Sequence, residues 1–514
     1  MTEDTTMPDR RIRRIVIVGG GTAGWMAAAA FRHFLDPKVV DIALVESEDI
    51  GTIGVGEATL PAIRVFNAQL GIGEADFLRE TRGAFKLGIE FRDWGTRGNR
   101  FFHGFGDFGA KYKKVTPYQL WLMLQARGEK SDLEDYSIAA TAARLNRFAQ
   151  PHPDQRSPLA AFSYAYHFDA TLYAHYLRRF AERRGVVRTN ARVVDVRLNG
   201  KSGFIESVVL DDGAVMVGDF FIDCSGFAAL LIEKALKTGF EDWSRWLPCN
   251  RAVAVPSAAA EPFSPFTRAT ARDAGWQWRI PLQHRTGNGH VYCSAFIDDD
   301  AAVKTLMDNL EGRALRDPLP LRFTTGRRRK FWNRNCLAVG LAGGFVEPLE
   351  STSILLIQQA IARLLEFFPD KDFDPAVESE YNRQAAMEFE RIRDFLILHY
   401  KLNARHGEPF WDHCRNVEVP ESLALKIAMF KSRGQTVIHE GDSFLDPSWI
   451  SMFHGLGVTP AAYDPLADQL DVAEVRKLMA ERRSFLARAV QSMPTQTAFI
   501  AQHCRAPDFA ATGS

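Results

Sequence analysis

The sequence predicts an α/β protein: a parallel, Rossmann-like dinucleotide-binding domain with a β-rich insertion and a mainly helical C-terminal part. Three observations predict it. The β-branched run Arg13-Arg14-Ile15-Val16-Ile17-Val18 enters a glycine cluster and then a strong helix former, as a buried parallel strand and its crossover helix do. The middle of the chain alternates apolar and polar residues between turn signals. Past about residue 375 the apolar spacing becomes helical.

The opening unit carries the most information. After the first strand come Gly19-Gly20-Gly21-Thr22-Ala23-Gly24 and then Trp25-Met26-Ala27-Ala28-Ala29-Ala30-Phe31, an alanine-rich helix. A second strand, Val40 to Val45, ends at Glu46. A GxGxxG between a strand and a helix, with an acidic residue closing the next strand, is the dinucleotide fingerprint. Gly19 permits the tight turn, Gly21 admits a pyrophosphate to the backbone, and Gly24 lets the helix pack closely on the strand. The helix N-terminus, including Thr22 and Ala23, offers free amides to the phosphates, and Glu46 accepts from the adenosine ribose. The spacing of 46 − 19 = 27 residues exceeds the usual value of about 20, because Asp36-Pro37 lengthens the helix–strand loop. This motif alone does not choose between FAD and NAD.

Further elements follow in order. Tyr173 to Arg184 reads as a helix ended by Gly185, and Val186 to Leu210 as hairpin strands with a turn near Asn199-Gly200. Asp219 to Cys224 is a strand stopped by Ser225-Gly226, and residues 275–297 are β-rich with interleaved aromatics. Cys336 to Gly340 is a third buried strand, followed by an apolar helix from Ile354 to Phe368. Val377 to Tyr400, Glu421 to Ser432 and Val472 to Met493 read as helices, so the chain divides into residues 11–390 and a helical region, 391–514.

The 514 residues include 63 basic and 63 acidic side chains, so no net field recruits nucleic acid or an anionic membrane. The one dense basic cluster, Arg327-Arg328-Arg329-Lys330, reads as a solvated face or as charge beside a cofactor. Six scattered cysteines contain no CxxC pair, which calls for neither a metal site nor a dithiol centre. The polar first ten residues hold no apolar segment of signal-peptide length, so a cytoplasmic protein is expected.

Four more segments narrow the reading. They are Gly54-Val55-Gly56-Glu57-Ala58-Thr59-Leu60-Pro61, Phe85-Lys86-Leu87-Gly88-Ile89-Glu90-Phe91-Arg92-Asp93-Trp94, Gly275-Trp276-Gln277-Trp278-Arg279-Ile280-Pro281 and Phe345-Val346-Glu347-Pro348-Leu349-Glu350-Ser351-Thr352-Ser353-Ile354. In this order they resemble the flavin-contacting loop, the lysine segment, the GWxWxIP signature and the PLEST segment of the flavin-dependent tryptophan-halogenase family, over residues 13 to 360. The resemblance implies an FAD-binding domain of the glutathione-reductase and aromatic-hydroxylase type. It implies flavin contacts at Gly21, Ala23, Gly24, Ser47, Ile50, Glu57, Ala58, Val194, Leu341 and Ile354. It also implies FADH2 delivered by diffusion from a separate NADH-dependent flavin reductase, chloride or bromide as co-substrate, and hypohalous acid as the halogenating species.

On this resemblance Lys86 polarises hypohalous acid as an ammonium or takes up the halogen as a neutral amine, and Glu350 stabilises the arenium cation and removes its proton. Read from its position alone, Glu350 equally satisfies amides at a helix start. The backbone amides of Thr352 and Ser353 bind halide, although the family often has glycine where this chain has Ser353. His103 and Phe105 correspond to the substrate-stacking pair, with Trp449 a third wall. Trp276 and Trp278 are either a barrier between substrate and flavin or plain aromatic core. No segment matches the one that grips the amino and carboxyl groups of tryptophan, which favours indole or another small free aromatic. An aromatic monooxygenase and a non-catalytic flavin-binding protein are the alternatives, and homodimers are common in the family.

Overall fold

The computed structural model describes residues 9–49, 56–154, 157–259 and 263–507. Its framework is a six-stranded sheet in the spatial order Trp332–Asn333, Cys336–Ala338, Phe220–Asp223, Arg14–Val18, Asp41–Glu46, Val187–Asn190. All neighbours are parallel except the short edge strand Trp332–Asn333. The central strand is sealed on both faces, with Ile15, Val16 and Ile17 fully buried, which is why it reads as a continuous β-branched run rather than an alternation. The helix Thr22–Phe34 leaves this strand through the glycine turn and packs against the helix Ala170–Glu182. Asp169 caps the second helix by accepting from the Thr171 and Leu172 amides. Gly185 follows at φ +97°, in the left-handed region expected just past a helix end.

The β-rich insertion is a seven-stranded sheet in the order Leu319–Arg322, Arg251–Ser257, Thr286–Tyr292, Gly275–Pro281, Thr267–Arg272, Gly88–Arg92, Arg100–Gly104. It is antiparallel except between Thr267–Arg272 and Gly88–Arg92. A small antiparallel sheet joins Gly56–Ala58 and Ala84–Lys86 to the two edges of Ala165–Asp169. Of the hairpin strands predicted over Val186 to Leu210, Val187–Asn190 instead joins the parallel sheet, while Val193–Leu198 and Ile205–Leu210 pair about the predicted turn, extended by Val215–Val217 into a peripheral three-stranded sheet. Asn199 Oδ1 ties the turn by accepting from the Lys201 and Ser202 amides.

The C-terminal part is helical as expected, with Pro375–Lys401, Glu421–Arg433 and Val472–Ser492 close to their predicted spans. The division at residue 390 needs correction. The helix Pro375–Lys401 runs unbroken through that point, and one contiguous apolar core includes both Ile15 and Ile500. The basic cluster is internally paired: Arg327 with Glu241 and Glu390, Arg328 with Glu233, and Lys330 with Glu378. All six cysteines are buried free thiols. Among the described residues no helix is long and apolar enough to cross a membrane.

Candidate active site

The glycine turn has the geometry its spacing demands. Gly19 sits at φ +107°, and a Cβ there would lie 2.3 Å from the Cys224 carbonyl oxygen; one on Gly24 would lie 1.9 Å from the Gly19 oxygen. A Cβ on Gly21 would meet nothing within 4 Å. The space it faces is a cavity of about 350 Å3, walled by Gly21, Thr22, Ala23, Glu57, Ala58, Leu341, Ser351, Ser353 and Ile354 together with Trp278. An open approach at a helix N-terminus, continuous with a mainly apolar slot, fits a dinucleotide with a flat ring system.

Other predicted cofactor contacts lie at or beyond the margins of this cavity. Glu46 ends its strand as expected, but its carboxylate already accepts from Arg188 Nε (2.6 Å) and Trp25 Nε1 (3.3 Å). Ser47 follows it, half-buried. Val194 stands on a peripheral strand, 59% exposed, and does not line the cavity. Ile50 lies outside the described residues. The Glu57 carboxyl is pushed up by burial to about 7.

Behind the cavity wall lies a cluster of buried polar side chains. Lys86 is fully buried on the strand Ala84–Lys86, and its Nζ donates to the Thr59 carbonyl (3.0 Å) and to Ser351 Oγ (2.7 Å). Burial pushes this amine down to about 7, while the charge of Glu350 pulls the other way. Ser351 therefore touches both the cavity and the lysine. It holds φ +61° at the end of the turn Pro348–Glu350, a left-handed conformation rare for a residue with a side chain. The Phe105 ring centroid is 5.3 Å from Lys86 Nζ.

Glu350 is also fully buried. His103 Nδ1 lies 3.1 and 3.0 Å from its two oxygens, and His399 Nε2 lies 2.7 Å from Oε1. Burial alone would raise this carboxyl, but His103 and His399 outweigh it and hold it at about 2. Thr352 and Ser353 open the helix Ser353–Glu366, where first-turn amides have no intrahelical acceptor. Trp449 is buried, donates its indole N–H to the Phe444 carbonyl (3.0 Å), and packs edge-on to Phe395 at 4.9 Å. Phe395 and Phe444, not Trp449, are the rings that meet His103, at 5.9 and 6.2 Å.

Comparison with known proteins decides what this arrangement belongs to. The tryptophan halogenase family matches residues 14–472. The chain belongs to that family. A flavin-dependent halogenase from Brevundimonas sp. BAL3 is 46% identical and superposes with a TM-score of 0.93 over 96% of this chain and 100% of its own. A second, from Xanthomonas campestris, is 44% identical with a TM-score of 0.94, covering 97% and 99%. The tryptophan 6-halogenase of Streptomyces toxytricini is 33% identical over 96% of this chain and 99% of its own. The protein is thus a flavin-dependent halogenase on an FAD-binding Rossmann-like fold.

Two buried polar groups of the halogenase site escape a reading of the sequence alone. Glu347, three residues before Glu350, accepts from Trp276 Nε1 (2.9 Å) and the Tyr400 hydroxyl (2.6 Å), and burial pushes it up to about 7. His399, beside Tyr400, holds Glu350. The signal that could have found them is a His-Tyr pair directly following the apolar run Phe395-Leu396-Ile397-Leu398. The two signature tryptophans divide their duties: Trp278 lines the cavity and Trp276 packs behind it, with ring centroids 6.1 Å apart. Among the described residues no cluster of three or more His, Cys, Asp or Glu could hold a metal.

Proposed function

We propose that this halogenase places chlorine or bromine on indole or another small, electron-rich free aromatic, with Lys86 delivering the halogen and Glu350 removing the ring proton. The observation that carries this is the pair itself: a buried amine pushed down to about 7 and a buried carboxylate held at about 2, with the amine joined to the cavity wall through Ser351. Reduced FAD, supplied by an NADH-dependent reductase, provides with dioxygen the oxidising equivalent that turns halide into hypohalous acid. Gly21, Thr22 and Ala23 would hold its pyrophosphate, and Glu57, Ala58, Leu341 and Ile354 its ring system.

Thr352 and Ser353 present unpaired amides to an anion at the start of their helix. Near neutral pH both forms of Lys86 are populated, so the side chain serves either as a donor to the hypohalous oxygen or as the amine that carries halogen. Glu350 stays ionised throughout that range, stabilises the arenium cation, and accepts the proton as the ring C–H electron pair returns to the π system. Phe105, 5.3 Å from Nζ, offers a flat wall for the substrate ring.

Two points favour a free aromatic over tryptophan. The sequence has no match to the segment that grips an amino acid backbone. The tryptophan halogenases among the relatives are 26–37% identical, against 44% and 46% for two proteins described only as flavin-dependent halogenases. The test is a competition: equimolar indole and tryptophan with FAD, reductase, NADH and, separately, chloride and bromide, read by mass spectrometry. Predominant haloindole supports the proposal; predominant halotryptophan overturns its substrate class.

A further inference from the structure

Glu347 and Glu350 share one buried loop and are gripped by consecutive residues of one helix. Tyr400 donates to Glu347 Oε2 at 2.6 Å, and His399 Nε2 meets Glu350 Oε1 at 2.7 Å. The partners differ in kind. Tyr400 and Trp276 give Glu347 two neutral hydrogen bonds, whereas His399 brings a group able to carry charge.

A proton count around His399 follows from its two contacts. Its Nδ1 lies 2.7 Å from the Phe395 carbonyl oxygen, which can only accept, so Nδ1 bears a hydrogen. A carboxylate likewise only accepts, so the 2.7 Å contact at Nε2 requires one more proton between the nitrogen and Glu350 Oε1. His103 Nδ1 spans both oxygens at 3.1 and 3.0 Å, so Oε2 keeps that single partner. The groups facing Glu350 are thus His103 from the strand Arg100–Gly104, Lys86 from the strand Ala84–Lys86, and His399 from the helix Pro375–Lys401. Against His399 itself pack Phe91 and Trp94, which do not titrate in the accessible range.

The geometry points to His399 as a positioning residue that joins His103 in keeping Glu350 a carboxylate, occupies Oε1, and leaves Oε2, met by His103 alone, as the oxygen that takes the substrate proton. The inference rests on Glu350 being the base of the proposed reaction. It assigns the two carboxyls opposite states, Glu350 ionised and Glu347 free to hold its proton, a division set by their hydrogen-bond partners. Remove the imidazole and burial acts on Glu350 with only His103 and Lys86 opposing it.

The experiment uses His399→Gln, which keeps a donor of similar reach without the charge, and His399→Phe, which removes both. Infrared difference spectra across the neutral range report the carbonyl band of a protonated carboxylic acid, assigned to Glu350 by its loss in Glu350→Gln on each background. The expected result is no Glu350 band in the native protein and a clear one in His399→Gln. The acid limb of the rate–pH profile should move up into the neutral range, falling about tenfold per pH unit below the new midpoint. If Glu350 stays ionised in His399→Gln, the inference is overturned whatever the activity. If the band appears but the rate and its pH dependence do not move, the grip of His399 stands and Glu350 is not the base.

Discussion

Replacing Lys86 by methionine should abolish halogenation and make the protein more stable. Moving the lysine from its ordinary 10.5 to about 7 is a shift of 10.5 − 7 = 3.5 units. At about 1.4 kcal/mol per unit, burial of this amine costs folding about 5 kcal/mol when it must be charged. Methionine removes that cost and keeps the length of the side chain, but it leaves the Thr59 carbonyl and Ser351 Oγ without their donor, at about 1–2 kcal/mol each. A net gain of about 2 kcal/mol at pH 6 remains. The gain has a definite pH dependence. Between about pH 7 and 10.5 the unfolded chain holds a proton on Lys86 that the folded chain lacks, so the stability contributed by this site to the native protein rises with pH. The rise is about 1.4 kcal/mol per pH unit, and the variant has no such term. The advantage of Lys86→Met should therefore shrink above pH 7 and vanish near about pH 8.5. Urea midpoints of the FAD-free proteins at several pH values provide the assay; midpoints suit a chain of this size better than extrapolated free energies. A variant that is less stable at pH 6, or a difference that does not change with pH, would refute the assignment of Lys86 as a desolvated amine.

The three fingerprint glycines should separate by mechanism. Gly24→Ala places a carbon 1.9 Å from the Gly19 oxygen and should lower the melting temperature even without cofactor, whereas Gly21→Val projects into open space and should leave the FAD-free melt unchanged while weakening FAD binding, measured by flavin fluorescence, at least tenfold. Phe105→Ala should raise KM for the aromatic substrate by removing a stacking wall worth about 1 kcal/mol, roughly fivefold. Trp449→Phe acts on packing instead: it loses the hydrogen bond to Phe444 and buried volume, and should cost stability of about 1–3 kcal/mol in denaturant melts with KM little changed.

What the sequence discloses and what it hides follow from the range of the forces involved. The strand, glycine turn and acidic strand end are local, so Gly19, Gly21, Gly24 and Glu46 are readable in order, and the open face of Gly21 agrees with that reading. Lys86 is readable because its segment is distinctive, and its burial agrees with the apolar residues around it. The Glu350 partners are another matter. His103 is 247 positions away and His399 is 49, and no periodicity marks an imidazole that turns from a helix toward a loop. The surroundings of Trp449 are equally invisible to local pattern: its indole N–H donates to the Phe444 carbonyl and its ring packs edge-on to Phe395, which the sequence spacing does not announce. The helix through residue 390 is legible from its apolar spacing, Val377 to Tyr400; what local spacing does not show is that one apolar core continues across that point, from Ile15 to Ile500.

The most direct test of the central claim is the mass spectrum of the product formed by native protein, Lys86→Met and Glu350→Gln with FAD, reductase, NADH, dioxygen, an indole substrate and a single halide. The account predicts a halogen isotope pattern that follows the halide supplied, disappears with Lys86→Met although FAD is still bound, and falls by at least about 100-fold with Glu350→Gln. Undiminished halogenation by Lys86→Met, or a hydroxylated product that forms without halide, would contradict it.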